Sequence, residues 1–94
     1  MNTFNEVDKY TLTLKNNNMV ERLVKKGIIT SPKVADVMKN VNRGEFSDFP
    51  ECAFYESPQS IGFNATISAP FIHALVLQVL SSKLKKGGKV LDIG

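Results

Sequence analysis

The residues best suited to chemistry lie in the second half of the chain. Ser68 stands just before an apolar pattern that has Pro70 in its first turn, so its hydroxyl falls at the start of a predicted helix. A serine at this place either caps the helix by accepting from backbone N–H groups or, together with the helix dipole, binds an anion such as a carboxylate. Thr66, two residues earlier, offers a second hydroxyl to the same ligand.

A second candidate is the run from Lys89 to Gly94, which follows a Gly-Gly turn and reads Lys-Val-Leu-Asp-Ile-Gly. Its apolar residues predict a buried strand. A strand that reaches Asp92 and Gly94 is typical of the beginning of a phosphate- or nucleotide-binding turn, because glycine lets the backbone bend where ligands bind in α/β sheets. The alternative is a core strand that ends in an ordinary turn.

The remaining reactive side chains favour structural roles. His73 has no Asp or Ser at helical spacing, so a structural histidine is favoured over a catalytic base. Cys52 has no visible activating partner, which favours a small apolar residue over a nucleophile. With one Cys and one His, a conventional zinc site and an intrachain disulfide are not expected.

The elements that position these residues begin after a polar segment. We expect residues 1–17 to be a flexible lead-in, in which Tyr10, Leu12 and Leu14 alternate and an asparagine run forms a loop. A first short helix is predicted from an N-cap at Asn18 to a stop at Gly27.

A second helix is predicted from Ser31-Pro32, with an apolar stripe at Val34, Val37, Met38 and Val41. It should form a helical hairpin with the first. Residues 45–60 predict an irregular loop that buries aromatic side chains. A third, largely buried helix is predicted from about Ala69 to Ser82.

Composition limits the alternatives. The 94 residues allow one small domain, and 43% of them are hydrophobic, within the globular range. Neither a membrane span nor a secretory signal is recognisable, and we expect a cytoplasmic protein. The net charge is +3, with a cluster at Lys83, Lys85, Lys86 and Lys89. Solvated helix ends explain this cluster better than a nucleic-acid surface does, but a non-catalytic basic helical module that binds a protein or nucleic-acid partner stays the alternative function.

The stretch from Ser57 to Pro70, which reads Ser-Pro-Gln-Ser-Ile-Gly-Phe-Asn-Ala-Thr-Ile-Ser-Ala-Pro, strongly resembles the signature region of eukaryotic-type protein-L-isoaspartate (D-aspartate) O-methyltransferases. Upstream residues resemble the N-terminal helical segment of that family, namely Leu23, Val24, Gly27-Ile28-Ile29 and Val34 to Met38. Residues 84–94 look like the approach to its S-adenosylmethionine-binding motif. The resemblance covers roughly residues 19–94 and is most specific from Ile61 to Pro70.

The resemblance implies an α/β fold, the doubly wound Rossmann-like fold of S-adenosylmethionine-dependent methyltransferases. Residues 18–94 would be the N-terminal portion of that domain, mostly helices plus the first sheet strand. It further implies methyl transfer from S-adenosylmethionine to the free carboxyl of L-isoaspartyl and D-aspartyl residues in damaged proteins, a repair step. By the same resemblance Ser68 is the catalytic residue, Thr66 and Ser68 bind substrate, and the cofactor-binding residues are Ile61, Gly62, Phe63, Asn64, Asp92 and Gly94.

Two departures from the family pattern stand out. Phe71 occupies a position where the family often has His, which removes a polar group near the helix start. The sequence stops at Gly94, before the family's glycine-rich turn and ribose-binding acidic residue, so we expect the 94-residue chain alone to be inactive. The expected partners are proteins or peptides that contain isoaspartyl residues. No nucleic acid or membrane is expected, and the complete enzyme is expected to be a monomer.

Overall fold

The computed structural model describes the backbone of residues 6–93 and the side chains of residues 9–93. Five regular elements and two short 3-10 turns follow one another along this range. They are α1 (Glu6–Lys25), α2 (Pro32–Asn40), the 3-10 turns Arg43–Phe46 and Pro50–Cys52, β1 (Gln59–Gly62), β2 (Ala65–Ile67) and α3 (Pro70–Leu80).

Helix α1 overturns the predicted lead-in and the predicted N-cap at Asn18, because one continuous helix runs from Glu6 to Lys25. Residues 1–5 lie outside the described residues. The reason is Asn16, whose side chain is buried on the same face as Met19, Val20 and Leu23. These positions have helical spacing. A polar residue in this pattern hides the periodicity unless its hydrogen-bond partners are known, and those partners lie at the end of α2 and the start of the first 3-10 turn.

Asn16 joins α1 to the end of α2. Its amide nitrogen donates to the carbonyl oxygen of Met38 at 3.0 Å, and its side-chain oxygen accepts from the backbone N–H of Arg43 at 3.2 Å. The carbonyls at the C-terminal end of a helix have no partner within the helix. One buried side chain therefore satisfies the end of α2 and holds the start of the first 3-10 turn.

The stop at Gly27 is confirmed. Gly27 has φ +78°, a left-handed conformation that glycine adopts without strain. Its N–H donates to the carbonyl of Val24 at 3.0 Å, and the N–H of Ile28 donates to the carbonyl of Leu23 at 2.9 Å. This pair of bonds is a Schellman motif, and it turns the chain toward α2.

Helix α2 begins where the sequence predicts. Ser31 is the N-cap, and its side-chain oxygen accepts from the N–H of Val34 at 3.3 Å. The predicted stripe is half buried: Val34 and Met38 enter the core, whereas Val37 and Val41 are exposed. The predicted helical hairpin of α1 and α2 is confirmed.

The core lies between α1, α2, the segment after the second 3-10 turn, and α3. It contains Met19, Val20, Leu23, Ile29, Val34, Met38, Ala53, Phe54 and Ala74. The prediction that residues 45–60 bury aromatic side chains holds for Phe54 alone, because Phe46, Phe49 and Tyr55 are exposed.

The signature stretch forms a β-hairpin, which the sequence did not predict. Strands β1 and β2 pair in antiparallel register, with Ser60 opposite Thr66 and Gly62 opposite Ala65. The connecting residues Phe63 and Asn64 both have φ +57°. Positive φ at both central residues is characteristic of a two-residue hairpin turn, and the twist of this turn matches the twist of the paired strands.

Helix α3 is less buried than predicted. Pro70 and Ala74 are buried, but Leu75, Val76 and Val79 are exposed, because the described core contacts the side of the helix that carries Ala74 and Leu77. Its inner side is fixed by Gln78, whose side-chain oxygen accepts from the N–H of Ser31 at 3.0 Å and whose nitrogen donates to the carbonyl of Ile28 at 2.6 Å.

The predicted buried strand at Lys89–Ile93 is wrong in this structure. These residues have no assigned secondary structure, and Val90 and Leu91 are 75% and 82% exposed. A strand forms only by pairing with a neighbour, and no described strand lies beside them. Gly94 lies outside the described residues.

Candidate functional site

Ser68 stands at the junction between the hairpin and α3, one residue after β2 ends and two before α3 begins. It lines a cavity of about 640 Å³ between α2, the first 3-10 turn and α3. The walls are mostly apolar and include Met38, Val41, Ile67 and Val76, with Arg43, His73 and Asp92 among the polar lining residues. An apolar cleft with a few polar groups is the usual form of a small-molecule or side-chain site.

The start of α3 differs from both roles expected of Ser68, which were to cap the helix or to bind an anion together with its dipole. The N-cap is Ala69, and no side chain caps it. The N–H of Phe71 donates to a carboxylate oxygen of Glu56 at 3.1 Å, and the N–H groups of Ile72 and His73 donate to the carbonyl of Ala69. Pro70 has no N–H. The donors of the first turn are therefore satisfied, and an anion site at the helix terminus is not open.

The polar group that remains at this junction is the Ser68 hydroxyl itself. Its residue is exposed, and it has no hydrogen-bond partner within residues 9–93. A hydroxyl can donate one hydrogen bond and accept others. Thr66 is likewise exposed, on β2, but it does not line the cavity.

Arg43 is the buried cation of the site. Its residue is 5% exposed, and its Nε donates to the carbonyl of Ala53. Its Nη1 lies 3.5 Å from Nδ1 of His73, while its Nη2 is buried without a partner among the described atoms. Burial lowers the pKa of Arg43 from its ordinary value, and the nearby Glu56 carboxylate opposes this change.

His73 reaches the same cavity from the second turn of α3. Burial first, and then the charge of Arg43, lower the pKa of its imidazole from the ordinary value of 6.5. Both causes disfavour the cationic ring. The structural role favoured from the sequence agrees with this contact, although the arginine partner lies thirty positions away and could not be inferred from helical spacing.

The residues expected to bind the cofactor are not brought together. Asp92 lines the cavity with Ser68, whereas Ile61, Gly62, Phe63 and Asn64 do not. Phe63 is 99% exposed at the tip of the hairpin. Gly62 has φ +84°, and the side chain of Asp48 lies beside it, where an added Cβ would meet Oδ1 at 3.4 Å.

These positions decide how far S-adenosylmethionine fits the described residues. The cavity has the volume of a small-molecule site, but it contains Asp92 and Ser68 without the hairpin residues. Residues 9–93 therefore do not form a complete cofactor site in this structure. The cofactor-binding roles of Ile61, Gly62, Phe63, Asn64 and Asp92 stay predictions, as does that of Gly94.

Metal-binding clusters and membrane-spanning helices are both absent from the described residues. Among them there is no group of three or more His, Cys, Asp or Glu side chains that could hold a metal ion. None of the described helices is long and apolar enough to cross a membrane.

Sequence reasoning did not single out Arg43 or Glu56. Arg43 comes from the first 3-10 turn and Glu56 from the loop before β1, and both meet α3 only in the folded chain. A polar residue within an aromatic-rich loop was the one available signal, and it does not specify a partner.

Comparisons with known proteins identify the family of this chain. The family model described as protein-L-isoaspartate (D-aspartate) O-methyltransferase matches residues 14–94. Protein-L-isoaspartate O-methyltransferase 1 of Arabidopsis thaliana is 51% identical over 80 residues, which are 85% of this chain and 35% of the relative. The protein-L-isoaspartate O-methyltransferase of Caenorhabditis elegans is 39% identical over 84% of this chain and 34% of its own length. The chain thus spans about a third of the length of these relatives.

A solved structure agrees in fold. It is the Plasmodium falciparum protein described as a protein-L-isoaspartate O-methyltransferase in complex with S-adenosyl-L-homocysteine. The TM-score is 0.69 at 36% identity, over 77% of this chain and 32% of that one. The helices and hairpin described above are therefore part of the Rossmann-like α/β methyltransferase fold, and the chain belongs to the protein-L-isoaspartate (D-aspartate) O-methyltransferase family.

Proposed function

We propose that this chain provides the substrate-facing part of an enzyme that methylates the free carboxyl of L-isoaspartyl and D-aspartyl residues in damaged proteins. The observation that carries the proposal is the Ser68 hydroxyl, which stands in the signature stretch, lines the cavity and is not used to cap α3. The family membership and the names of the relatives support the substrate class.

The chemistry needs no strong base. A carboxyl with an ordinary pKa near about 4 is ionised at neutral pH, so its oxygen is already a nucleophile. S-adenosylmethionine would supply the methyl group as a sulfonium. Transfer would form an oxygen–carbon bond and break a carbon–sulfur bond, and the products would be a methyl ester and a neutral thioether. No proton has to move.

The proposed role of Ser68 is alignment. Its hydroxyl donates to one oxygen of the substrate carboxylate and directs the other toward the methyl group. Alignment of reacting atoms is the main contribution an enzyme can make when no acid–base step is needed. Ile67, Val76 and Met38 give the same space apolar walls.

Thr66 and Ser68, the two residues expected to bind substrate, do not line the same cavity. Thr66 is exposed opposite Ser60 on the hairpin, outside the cavity that Ser68 lines. We propose that Thr66 contacts peptide flanking the isoaspartyl residue, while Ser68 alone reaches the carboxylate.

A chimera tests the role of Ser68. The 80-residue aligned segment of the Arabidopsis thaliana relative is replaced by its counterpart from this chain. A hydrogen bond to a charged group contributes about 1.5–3 kcal/mol, so Ser68→Ala should lower kcat/KM for an isoaspartyl peptide by roughly 10- to 150-fold. Ser82→Ala, at an exposed serine just after α3, is the matched control. A Ser68→Ala chimera with near-normal turnover would remove Ser68 from the mechanism.

The other expectations stay predictions. They are a cytoplasmic location, a monomeric complete enzyme and no nucleic-acid partner. Salt-dependent binding of RNA or DNA by the exposed Lys83, Lys85, Lys86 and Lys89 would instead favour the basic-module alternative, because phosphate contacts weaken steeply with salt.

A further inference from the structure

The feature that the proposed function leaves unused is the contact between Arg43 and His73. Arg43 is anchored on both sides: its backbone N–H donates to Asn16 and its Nε donates to the carbonyl of Ala53. The guanidinium therefore has little freedom, and its Nη1 is set 3.5 Å from Nδ1 of His73.

The chemistry of the two groups determines where the imidazole proton lies. An arginine side chain has only donors, so the nitrogen that faces it must be an acceptor. Nδ1 of His73 then carries the lone pair, and the single ring proton lies on Nε2. An imidazolium has a proton on both nitrogens and would place two donors face to face.

The positive charge nearest the ring acts in the same direction. Arg43 faces it from the first 3-10 turn, and its positive charge disfavours a second proton. The carboxylate of Glu56 lies near Arg43 and bonds the N–H of Phe71, while Asp92 lines the same cavity. Among the causes that shift the pKa of His73, burial comes first and Arg43 second, and both lower it; neither carboxylate is among them.

We propose that Arg43 is a positioning residue that holds His73 neutral, with its proton on Nε2, in the cavity that Ser68 lines. The ring then presents one defined donor, and Nδ1 is occupied. This inference does not depend on the proposed methyl transfer, because it concerns a contact within the described residues.

The test uses nitrogen NMR of the full 94-residue chain. His73 is the only histidine, so its two ring nitrogens are assigned without ambiguity. Above the titration midpoint, long-range proton–nitrogen spectra of the wild type should show a protonated Nε2 and an unprotonated Nδ1. The midpoint should lie below the ordinary histidine value.

Arg43→Met removes the donor and the charge. It should bring the two nitrogen shifts closer, as the tautomers mix, and raise the titration midpoint. Arg22→Met is the matched control, because Arg22 also donates to a loop carbonyl, that of Phe54, at 2.9 Å, without contacting His73. It should leave both readings of His73 unchanged.

Two results would overturn the proposal. One is a wild-type His73 with its proton on Nδ1, which needs no variant and holds even if Arg43→Met does not fold. The other is a folded Arg43→Met chain whose His73 tautomer and midpoint equal those of the wild type.

Discussion

At the scale of single residues, the start of α3 is capped without Ser68. Glu56 and the carbonyl of Ala69 accept from the first N–H groups of the helix, which a serine in the N-cap position would otherwise do. Ser68 is thereby left out of the capping network. The resemblance to the family pointed to this serine, but the sequence gives no sign that a glutamate twelve residues earlier takes over the capping.

His73 makes the stability of the chain depend on pH. Because its pKa is lowered in the folded state, the folded chain binds fewer protons than the unfolded chain when the pH falls below 6.5. The stabilisation is thus complete above the unfolded pKa and is lost as the pH falls through the folded pKa. We expect the free energy of unfolding to decrease between about pH 7 and about pH 5.

Urea unfolding across this range measures the effect, with His73→Gln as the reference variant. Gln does not titrate, so the decrease caused by His73 should be absent from it, and carboxylates that contribute at lower pH affect both proteins equally. An equal decrease in the wild type and in His73→Gln would show that the imidazole is not the responsible group.

At the scale of elements, the sequence predicts those that depend on local signals and misses those that depend on long-range contacts or an uncommon turn. Helix α2 could be predicted because its cap, Ser31, and its buried Val34 and Met38 are all within one short segment. Most of α1 could not, since its buried face includes Asn16, which is stable there only because α2 supplies carbonyl partners. The hairpin was missed because its turn is built from Phe63 and Asn64 rather than from a common turn pair such as Asn-Gly.

Asn16 and Asn18 offer a direct comparison within α1. Asn16→Ala leaves the N–H of Arg43 and the carbonyl of Met38 without this partner, and an unsatisfied buried group costs about 1–3 kcal/mol. Asn18 is exposed in the middle of the helix, so Asn18→Ala should change stability by less than about 0.5 kcal/mol.

Both variants exchange Asn for Ala on one helix, so helix propensity cancels, and chemical denaturation provides the comparison. Asn18→Ala would cost about 1 kcal/mol if that residue were the N-cap the sequence suggested. A larger loss for Asn18→Ala than for Asn16→Ala would contradict the continuous helix α1.

At the scale of the whole molecule, apolar surface is the dominant feature. The outward face of α3 and the segment 89–93 expose Leu75, Val79, Val90 and Leu91. Contiguous exposed apolar residues mark surfaces that other protein covers. The matched segments make up about a third of the length of the relatives, so the relatives contain chain beyond the part that is similar to this one.

The exposure of residues 89–93 also predicts that the 94-residue chain has a low affinity for S-adenosylmethionine. Asp92 is part of an unpaired, exposed segment, and the hairpin residues expected to contact the cofactor do not line its cavity. Titration calorimetry should therefore find a Kd weaker than about 1 mM, which corresponds to about −4 kcal/mol. Micromolar binding would mean that residues 89–93 and the hairpin form a cofactor site that this structure does not contain.

The most direct test of the proposed function is the substrate selectivity of the chimera. Initial rates of methyl transfer are measured on two peptides of identical sequence, one with an L-isoaspartyl linkage and one with an ordinary aspartyl linkage. The site described here predicts transfer to the isoaspartyl peptide and little or none to its aspartyl counterpart. A folded chimera that binds S-adenosylmethionine but methylates neither peptide, or both at equal rates, would contradict it.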